Sequence, residues 1–317
     1  MSVSVEAIAW PEGDSEVAPP IKKRRGAQTP YLVAITPAAI LLSAFFIFPA
    51  IWVIYTSTTS LSLTNFGAGA GFVGLENYRR LWHNPDFPKF IKNTVIFTLG
   101  AAMIGQTLGG LLISLLIHHA QIHKHKLAPV AFTAVLLSWI CPPTLAGFIW
   151  AGIFDYRKGM INTTLTALHL PRVDMLGSFP MFSVVLAESW RGLAFALIIF
   201  LGALQSIPNQ VYEAASIDGA TTWMRFKDHT LPAMRHVIVL VLLVTTITTI
   251  GSFLIILILT NGDPAYATET IALHAYHQAF TQFDIGYGAA LSVVMLLMSL
   301  AFALVYLKVV NTGTDAE

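Results

Sequence analysis

Two opposite charges lie three residues apart within a long apolar stretch, at Glu188 and Arg191. An ionisable side chain at the centre of a membrane-spanning helix costs about 2.5–3.5 kcal/mol, so such residues are rare and usually have a partner. A spacing of three places both side chains on one face of a helix, where they can pair. Two interpretations remain open: the pair, with Trp190 between its members, lines a polar cavity and bonds the hydroxyl groups of a solute, or it fixes the packing of the helices.

The second stretch with unusual chemistry is EAASIDGATTWMRFKDHTLP, which runs from Glu213 to Pro232 between two long apolar runs. The Ser-Ile-Pro sequence shortly before it predicts a helix start, and Glu213 then lies early in that helix, where a carboxylate suits the helix dipole. Ala214 and Ala215 favour a helix and have almost no side chain, so another surface can approach closely. Gly219 is expected to interrupt this helix with a turn.

A second short helix is predicted at 221–228, with Trp223 and Phe226 close together on it, and Leu231-Pro232 is expected to end the insert. The resulting helix–turn–helix is too apolar for water and too short to span a bilayer. Two interpretations of this surface remain open. It binds a protein partner, or it lies on the lipid headgroups with its aromatic side chains in the membrane.

The sequence lacks the residues that several other functions require. The chain has no G-x-x-x-x-G-K-[ST] loop, so it is not expected to bind ATP itself. Its only cysteine, Cys141, lies in an apolar run, and its ten histidines show no zinc-ligand spacing. The histidines and lysines between His118 and Lys126 are typical of a solvated turn. We therefore expect no metal site and no cofactor bound by this chain.

Membrane-spanning helices must position these residues. The chain has 317 residues, of which 55% are hydrophobic and 11% charged, and its mean hydropathy is +0.68. A soluble domain is about 25% charged, and a helix needs roughly 20 apolar residues to cross the hydrocarbon. An all-α membrane protein is therefore predicted, with spans at Tyr31–Ser57, Asn93–Ile117, Leu127–Phe154, Phe179–Gln205, His236–Thr260 and Tyr287–Val310.

Prolines interrupt two of these predicted spans. Pro37 and Pro49 lie in the first, and Pro142-Pro143 lies in the third. Each proline removes a backbone donor and is expected to kink or unwind its helix, which lipid tolerates only where protein or a cavity satisfies the freed carbonyls.

The distribution of lysine and arginine predicts the orientation. A basic run at 22–25 precedes the first apolar stretch, which is too long for a signal peptide and is expected to remain as an anchor. The bias of basic residues places both termini in the cytoplasm. The predicted organisation is a polar cytoplasmic tail at 1–29, a six-span domain at 30–310 with a cytoplasmic loop at 206–234, and a cytoplasmic tail at 311–317.

The insert resembles the EAA signature of permease subunits in binding-protein-dependent ABC importers. The positions that match this signature are Glu213-Ala214-Ala215, Gly219 and Leu231-Pro232, and His229 stands where the family usually has isoleucine. Further segments resemble the maltose and glycerol-phosphate type of sugar permease, in the same order along the chain. They are Gly74–Tyr78, Gly159–Asn162, Trp190-Arg191, the stretch 204–208, and the stretch from Leu259 to Phe280.

This resemblance implies a type I ABC importer permease fold with six spans, in which the insert is a coupling helix–turn–helix. A separate nucleotide-binding ATPase dimer would use ATP and magnesium and act on this insert. The other implied partners are a second, related permease and a solute-binding protein or lipoprotein outside a bacterial cell membrane, and no nucleic acid is expected. The implied ATPase-coupling residues are Glu213, Ala214, Ala215, Asp218, Gly219, Phe226, Leu231 and Pro232.

The resemblance also implies a substrate pathway for a sugar or sugar-like solute, such as a disaccharide, an oligosaccharide or glycerol phosphate. The candidate residues for this pathway are Glu188, Trp190, Arg191, Asp155 and Tyr156. The alternative is an ion-coupled secondary transporter, which usually shows internal repeats and an intramembrane acid relay. A membrane-embedded transferase is a third alternative, but the spans lack the clustered acids or the His and Cys site that such an enzyme needs. The sequence thus favours a transport subunit rather than an enzyme.

Overall fold

A computed structural model of the protein describes residues 29–65 and 70–314. The predicted N-terminal tail and its basic run therefore lie almost wholly outside the described residues, as does the end of the C-terminal tail. The chain divides at Ala50 into two compact units, of which the first contains most of the first span and the second contains all later helices. Within the described ranges the regular secondary structure is helical apart from two isolated β-bridges, Thr59 with Phe72 and Ser62 with Asp284.

The helices are numbered here in chain order. Helix α1 comprises Thr29–Leu42, a π-helical turn at Ser43–Ile47, and Phe48–Thr56. The others are α2 (Glu76–Trp82), α3 (Phe87–Ile122), α4 (Ala128–Ile140), α5 (Pro143–Phe154), α6 (Met160–Ala167), α7 (Met175–Ser178), α8 (Pro180–Gln205), α9 (Asn209–Ile217), α10 (Thr222–Ile250), α11 (Leu254–Leu259), α12 (Ile271–Tyr276) and α13 (Ile285–Thr314). The helices α1, α3, α8, α10 and α13 each contain a stretch long and apolar enough to cross a membrane.

Helices α3 and α8 pack closely because small residues line their contact. A Cβ atom added to Gly105 would collide with Ser189, and one added to Gly110 would lie 2.5 Å from the Cβ of Ala196. The middle of α3, Leu99–Leu108, is π-helical. These glycines therefore allow the two helices to approach closely.

The third predicted span is broken. We expected one stretch at Leu127–Phe154, but α4 ends at Ile140 and α5 begins at Pro143, and the two helices are bent by 111°. The reason is the Pro142-Pro143 pair, because two consecutive residues without a backbone donor cannot continue a helix. The prolines thus separate two short apolar helices.

The fifth predicted span, His236–Thr260, is wrong in its second half. Helix α10 ends at Ile250, and Gly251 to Phe253 form a break before the short helix α11. Gly251 closes α10 as its C-cap residue, a position that favours glycine. Apolar residues continue on both sides of the break, so hydropathy alone does not detect it.

The start of this span also differs from the prediction. Leu231-Pro232 does not end the insert, because α10 continues from Thr222 to Ile250 without interruption. A π-helical turn at Phe226–Thr230 precedes the proline. In an ordinary helix, residue 232 would donate a backbone hydrogen bond, which proline lacks. The wider π-helical turn changes the hydrogen-bond register just before Pro232.

The segment between α11 and α13 is folded rather than a loose loop. It contains α12 and a π-helical turn at His277–Thr281. Ile271, Ala275 and Leu291 belong to a buried apolar cluster that also includes Phe90 of α3. This segment therefore packs onto the ends of α3 and α13.

Candidate functional site

Glu188 and Arg191 form the predicted ion pair in the middle of α8. Arg191 donates from Nη2 to Glu188 Oε1 at 2.7 Å, and the Glu188 side chain is 1% exposed whereas the Arg191 side chain is 22% exposed. Ser252 donates its hydroxyl to the other oxygen, Oε2, at 3.0 Å. Glu188 thus fastens the break between α10 and α11 to the centre of α8.

A buried glutamine extends this polar network, and the sequence analysis missed it. Gln106 in α3 donates to the backbone oxygen of Glu188 at 3.4 Å and to the hydroxyl of Thr249 at 3.3 Å. It fits there because Gly192 has no side chain, and a Cβ atom at that position would lie 2.5 Å from Gln106 Oε1. A lone amide in an apolar stretch was the available signal, because such a group needs a partner within the bundle.

Trp190 is half-buried and packs on a second indole. Its ring meets that of Trp150 edge to face at 6.0 Å, and Trp150 also packs on Phe154. The Nε1 atom of Trp150 and the Nε atom of Arg191 are both buried without a hydrogen-bond partner. The contact between α5 and α8 therefore combines aromatic side chains with two buried donors that lack a partner.

The other two candidate residues of the pathway lie apart from this network. Asp155 and Tyr156 follow α5 on an exposed turn. The Asp155 carboxylate accepts hydrogen bonds from the backbone N–H groups of Lys158 and Arg157, at 2.6 and 3.0 Å. These bonds, that from Lys158 above all, lower the pKa of Asp155. Asp155 thus serves as the cap of its own turn, and the structure does not bring it together with Glu188.

The coupling insert presents most of its predicted residues to the outside of the chain. Glu213, Ala214 and Asp218 are exposed on or next to α9, and so are Leu231 and Pro232. They are therefore available to another surface.

The remaining residues of the insert hold its shape. Ala215 is buried, and Gly219 has a φ of +77°, which favours glycine. Phe226 is half-buried and its ring lies 5.6 Å from that of Trp223, which is 67% exposed. The predicted start at Ser206 is wrong, because α9 begins after Pro208 and the Ser206 hydroxyl bonds back to the end of α8 at Ala203.

The segment Gly74–Tyr78 has a structural explanation. Asn77 is buried and donates to the backbone oxygens of Ser57 and Thr59, both at 2.9 Å. The Tyr78 hydroxyl lies 2.7 Å from that of Ser57. This segment therefore fixes the chain that leaves α1.

Comparison with known proteins connects this architecture to a family. Residues 103–311 match the family described as binding-protein-dependent transport system inner membrane component. The sulfoquinovosyl glycerol permease SmoG of Agrobacterium fabrum is 35% identical over 89% of this chain and 90% of its own. The trehalose/maltose permease MalF of Thermococcus litoralis is 32% identical, over 90% and 95%. The glycerol-3-phosphate permease UgpA of Pectobacterium atrosepticum is 31% identical, over 92% and 97%.

Solved structures show the same fold. A chain of a bacterial alginate ABC transporter, determined in complex with an alginate-bound periplasmic protein, superposes with a TM-score of 0.73 at 20% identity, covering 88% of this chain and 93% of that one. The predicted type I ABC importer permease fold is confirmed, with the third span broken. The predicted class, a membrane transport subunit rather than an enzyme or a secondary transporter, is confirmed as well. The chain belongs to the inner-membrane components of binding-protein-dependent transport systems, as a permease subunit of the carbohydrate ABC importer group.

Proposed function

We propose that this chain forms half of the pathway of an ATP-driven importer for a sugar or sugar-like solute. The observation that carries the proposal is the continuity of α10. This helix begins in the coupling insert at Thr222 and ends at Ile250, two residues before Ser252, which bonds Glu188. Its 29 residues extend over about 44 Å at 1.5 Å per residue. A force on the insert would therefore reach the polar network through one helix.

The insert is the proposed docking site for a separate ATPase that binds ATP and magnesium. Its exposed carboxylates and the Trp223 indole suit the binding of a protein surface. The coupling residues proposed for this contact are Glu213, Ala214, Ala215, Asp218, Gly219, Phe226, Leu231 and Pro232. Ala215 and Phe226 would act by shaping the insert, because they are covered within the chain to a greater degree than the others.

The proposed pathway passes along the network around Glu188. Arg191, whose side chain is partly exposed, would bond hydroxyl or anionic groups of the solute, and Trp190 would contribute to an aromatic wall. Asp155 and Tyr156 remain proposed contacts at the exposed end of α5. Glu188 would hold Arg191 in position and offset its charge.

The proposed cargo class follows the relatives, whose names specify a sulfoquinovosyl glycerol, a trehalose or maltose, and a glycerol phosphate. The proposed assembly contains a second permease, two copies of the ATPase and a solute-binding protein or lipoprotein. Both termini and the insert would face the cytoplasm of a bacterial cell, and the α11–α13 segment would face outward. The lipid bilayer surrounds the spans.

The test is ATP-driven uptake by the purified complex in liposomes. A thermal-shift screen of the cognate binding protein against disaccharides and glycerol phosphates would first identify the cargo. Glu213→Ala should then reduce uptake at least tenfold while binding of cargo to the binding protein is unchanged. Glu76→Ala, an exposed glutamate of α2 remote from the insert in sequence, is the matched control and should transport normally. Full uptake by the Glu213 variant would refute the coupling role.

A further inference from the structure

Two side-chain contacts join α9 to the first part of α10 across the turn at Gly219. The Tyr212 hydroxyl lies 3.1 Å from the hydroxyl of Thr230. Arg225 donates from Nη1 to the Ser216 hydroxyl at 3.1 Å. Thr230 is buried and Tyr212 is half-buried. The two helices of the coupling insert are therefore fastened to each other at two points.

These two contacts lie at the two ends of the π-helical turn in α10. The turn comprises Phe226–Thr230, so Arg225 immediately precedes it and Thr230 is its last residue. Sharp kinks in helices occur at π-helical turns and at prolines. Pro232 follows two residues later and lacks the backbone donor that an α-helix needs. A load along α10 is therefore expected to bend the helix at this turn.

The spacing of the contacting residues matches the π-helical turn. Tyr212 and Ser216 are four residues apart in α9, which places them on one face of an α-helix. Arg225 and Thr230 are five residues apart, and residues with this spacing point in different directions in an α-helix. In a π-helical turn each residue bonds to the fifth along the chain, so the two side chains point the same way. The turn thus directs both residues of α10 toward α9.

Further hydrogen bonds connect these side chains to the backbone of both helices. The Thr230 hydroxyl donates to the backbone oxygen of Arg225 at 3.4 Å, across the π-helical turn. The Ser216 hydroxyl donates to the backbone oxygen of Tyr212 at 2.6 Å. Arg225 also donates from Nη2 to the Thr222 hydroxyl at 3.4 Å, at the start of α10. The two contacts thus belong to one hydrogen-bonded network.

We propose that α9 is a brace that keeps α10 from bending at its π-helical turn, with Tyr212 and Arg225 as positioning residues. The inference rests on the proposed function, in which a separate ATPase displaces the insert. A bend at Phe226–Thr230 would absorb this displacement close to the insert. The two contacts resist the bend, because α9 would have to separate from α10 at one of them. The brace therefore lets a displacement of the insert reach the far end of α10 at Ile250.

Hydrogen exchange of the full-length protein in lipid nanodiscs tests the brace without transport. Tyr212→Phe loses only the hydroxyl that meets Thr230. The amide groups of residues 226–231 should then exchange about fivefold faster, which is the order of effect expected for the loss of one hydrogen bond. Ser216→Ala removes the other contact, that with Arg225, and should have an effect of similar size.

Two controls separate the brace from a general loosening of the chain. Ser216→Thr keeps the hydroxyl acceptor and should exchange like the wild type. Tyr306→Phe removes a tyrosine–threonine contact of the same kind, at 3.0 Å from Thr246 farther along α10, and should leave residues 226–231 unchanged. Unchanged exchange in Tyr212→Phe or in Ser216→Ala, or equally fast exchange in the Tyr306 variant, would overturn the brace.

The double variant Tyr212→Phe/Ser216→Ala tests the consequence for coupling. In proteoliposomes that contain the complete complex, uptake per ATP hydrolysed should fall about fivefold, at the lower end of typical coupling effects. The ATPase should still co-purify with the permease, and the KM for ATP should be unchanged. Loss of the ATPase would indicate a docking role for these side chains instead, and normal uptake per ATP would show that the brace does not transmit the displacement. Either result would refute the positioning role.

The wild-type complex distinguishes this inference from the proposed function. Absence of ATP-driven uptake by the wild type would refute the proposed function, while the exchange measurement would still decide whether α9 braces α10. Normal uptake by the wild type together with unchanged exchange in the Tyr212 and Ser216 variants would refute the brace alone.

Discussion

The two segments beside α10 and α11 accommodate their charged residues in opposite ways. Both lie outside the long spans and carry charged residues. The coupling insert leaves Glu213 and Asp218 exposed and forms hydrogen bonds within itself, as between Arg225 and Ser216, whereas the segment 261–281 between α11 and α13 buries Glu269 and bonds its backbone to α3. The difference agrees with the proposal that another protein docks on the insert, whereas the 261–281 segment is held by contacts within its own chain.

A glycine with positive φ occurs in each segment and makes the comparison measurable. Gly262 has a φ of +93°, and a Cβ atom there would collide with Glu269. Gly219 has a φ of +77°, and a Cβ atom there would meet nothing within 4 Å. An alanine would therefore strain the backbone at both positions, but its Cβ atom would collide with a neighbour only at Gly262.

The largest expected effect is that of Gly262→Ala. The left-handed backbone costs about 1–2 kcal/mol for alanine, and displacement of the buried Glu269 carboxylate raises the total to about 3 kcal/mol. Thermal unfolding of the purified protein in detergent should show this loss. Gly202→Ala is the control, because a Cβ atom on Gly202 in α8 meets nothing within 4 Å. A Gly262 variant as stable as the control would show that the segment is as loosely held as the insert.

The next largest effect is expected from Asn93→Ala. It leaves the backbone oxygens of Tyr266 and Glu269 without their donor, and one unsatisfied buried group costs about 1–3 kcal/mol. The loss should appear as faster hydrogen exchange in residues 261–281 and not in the insert. Gln210→Ala on exposed α9 serves as the comparison and should change neither segment. Equal exchange in both variants would argue against the α3 anchorage.

Gly219→Ala should have a smaller effect on stability, about 1 kcal/mol, because only backbone strain remains. Its effect on function should be larger than its effect on folding, since the turn positions α9 against α10. The prediction is a nearly normal unfolding temperature together with a loss of ATP-driven uptake. A variant that transports normally would show that the geometry of this turn does not matter for coupling.

The smallest effect is expected at the turn after α5, which belongs to neither segment and provides a baseline. The hydrogen bond from the backbone N–H of Lys158 lowers the pKa of Asp155. The charged form of Asp155 therefore stabilises the turn at pH values above the unfolded pKa of about 3.9. This contribution is lost as the pH falls through the lower pKa of the folded state. Asp155→Asn should therefore be slightly less stable than the wild type at neutral pH. The unfolding temperatures of the two proteins should converge in acid below about pH 3.9. A difference that grows in acid would contradict the assignment.

Hydropathy and residue type predict much of this fold, and their failures have physical causes. The spans around α3, α8 and α13 follow from apolar length, and the Glu188–Arg191 pair follows from helical spacing. The end of α10 at Ile250 does not follow from apolar length, because apolar residues continue beyond Gly251. The break depends on tertiary hydrogen bonds such as that between Ser252 and Glu188.

The candidate site was predictable in part for a related reason. Charged residues stand out in an apolar stretch, so Glu188 and Arg191 were identified at once. Gln106 attracts less notice, and its role depends on Gly192 lying opposite on another helix. Glu269 lies in the stretch from Leu259 to Phe280, which the sequence connects only with a family resemblance, and the packing of α12 and α13 shows that its carboxylate is buried.

The π-helical stretch Leu99–Leu108 has a consequence for how this chain tolerates insertions and deletions. Gly100, Gly105 and Gly110 are spaced by five residues, and each approaches a residue of α8. In an ordinary α-helix residues five apart point in different directions, whereas π-helical bonding joins each residue to the fifth along the chain. Removal of one residue here would rotate the rest of α3 by about 100° and turn its buried positions away from α8. The packing against α8 therefore constrains the number of residues in this stretch as well as the identity of its glycines.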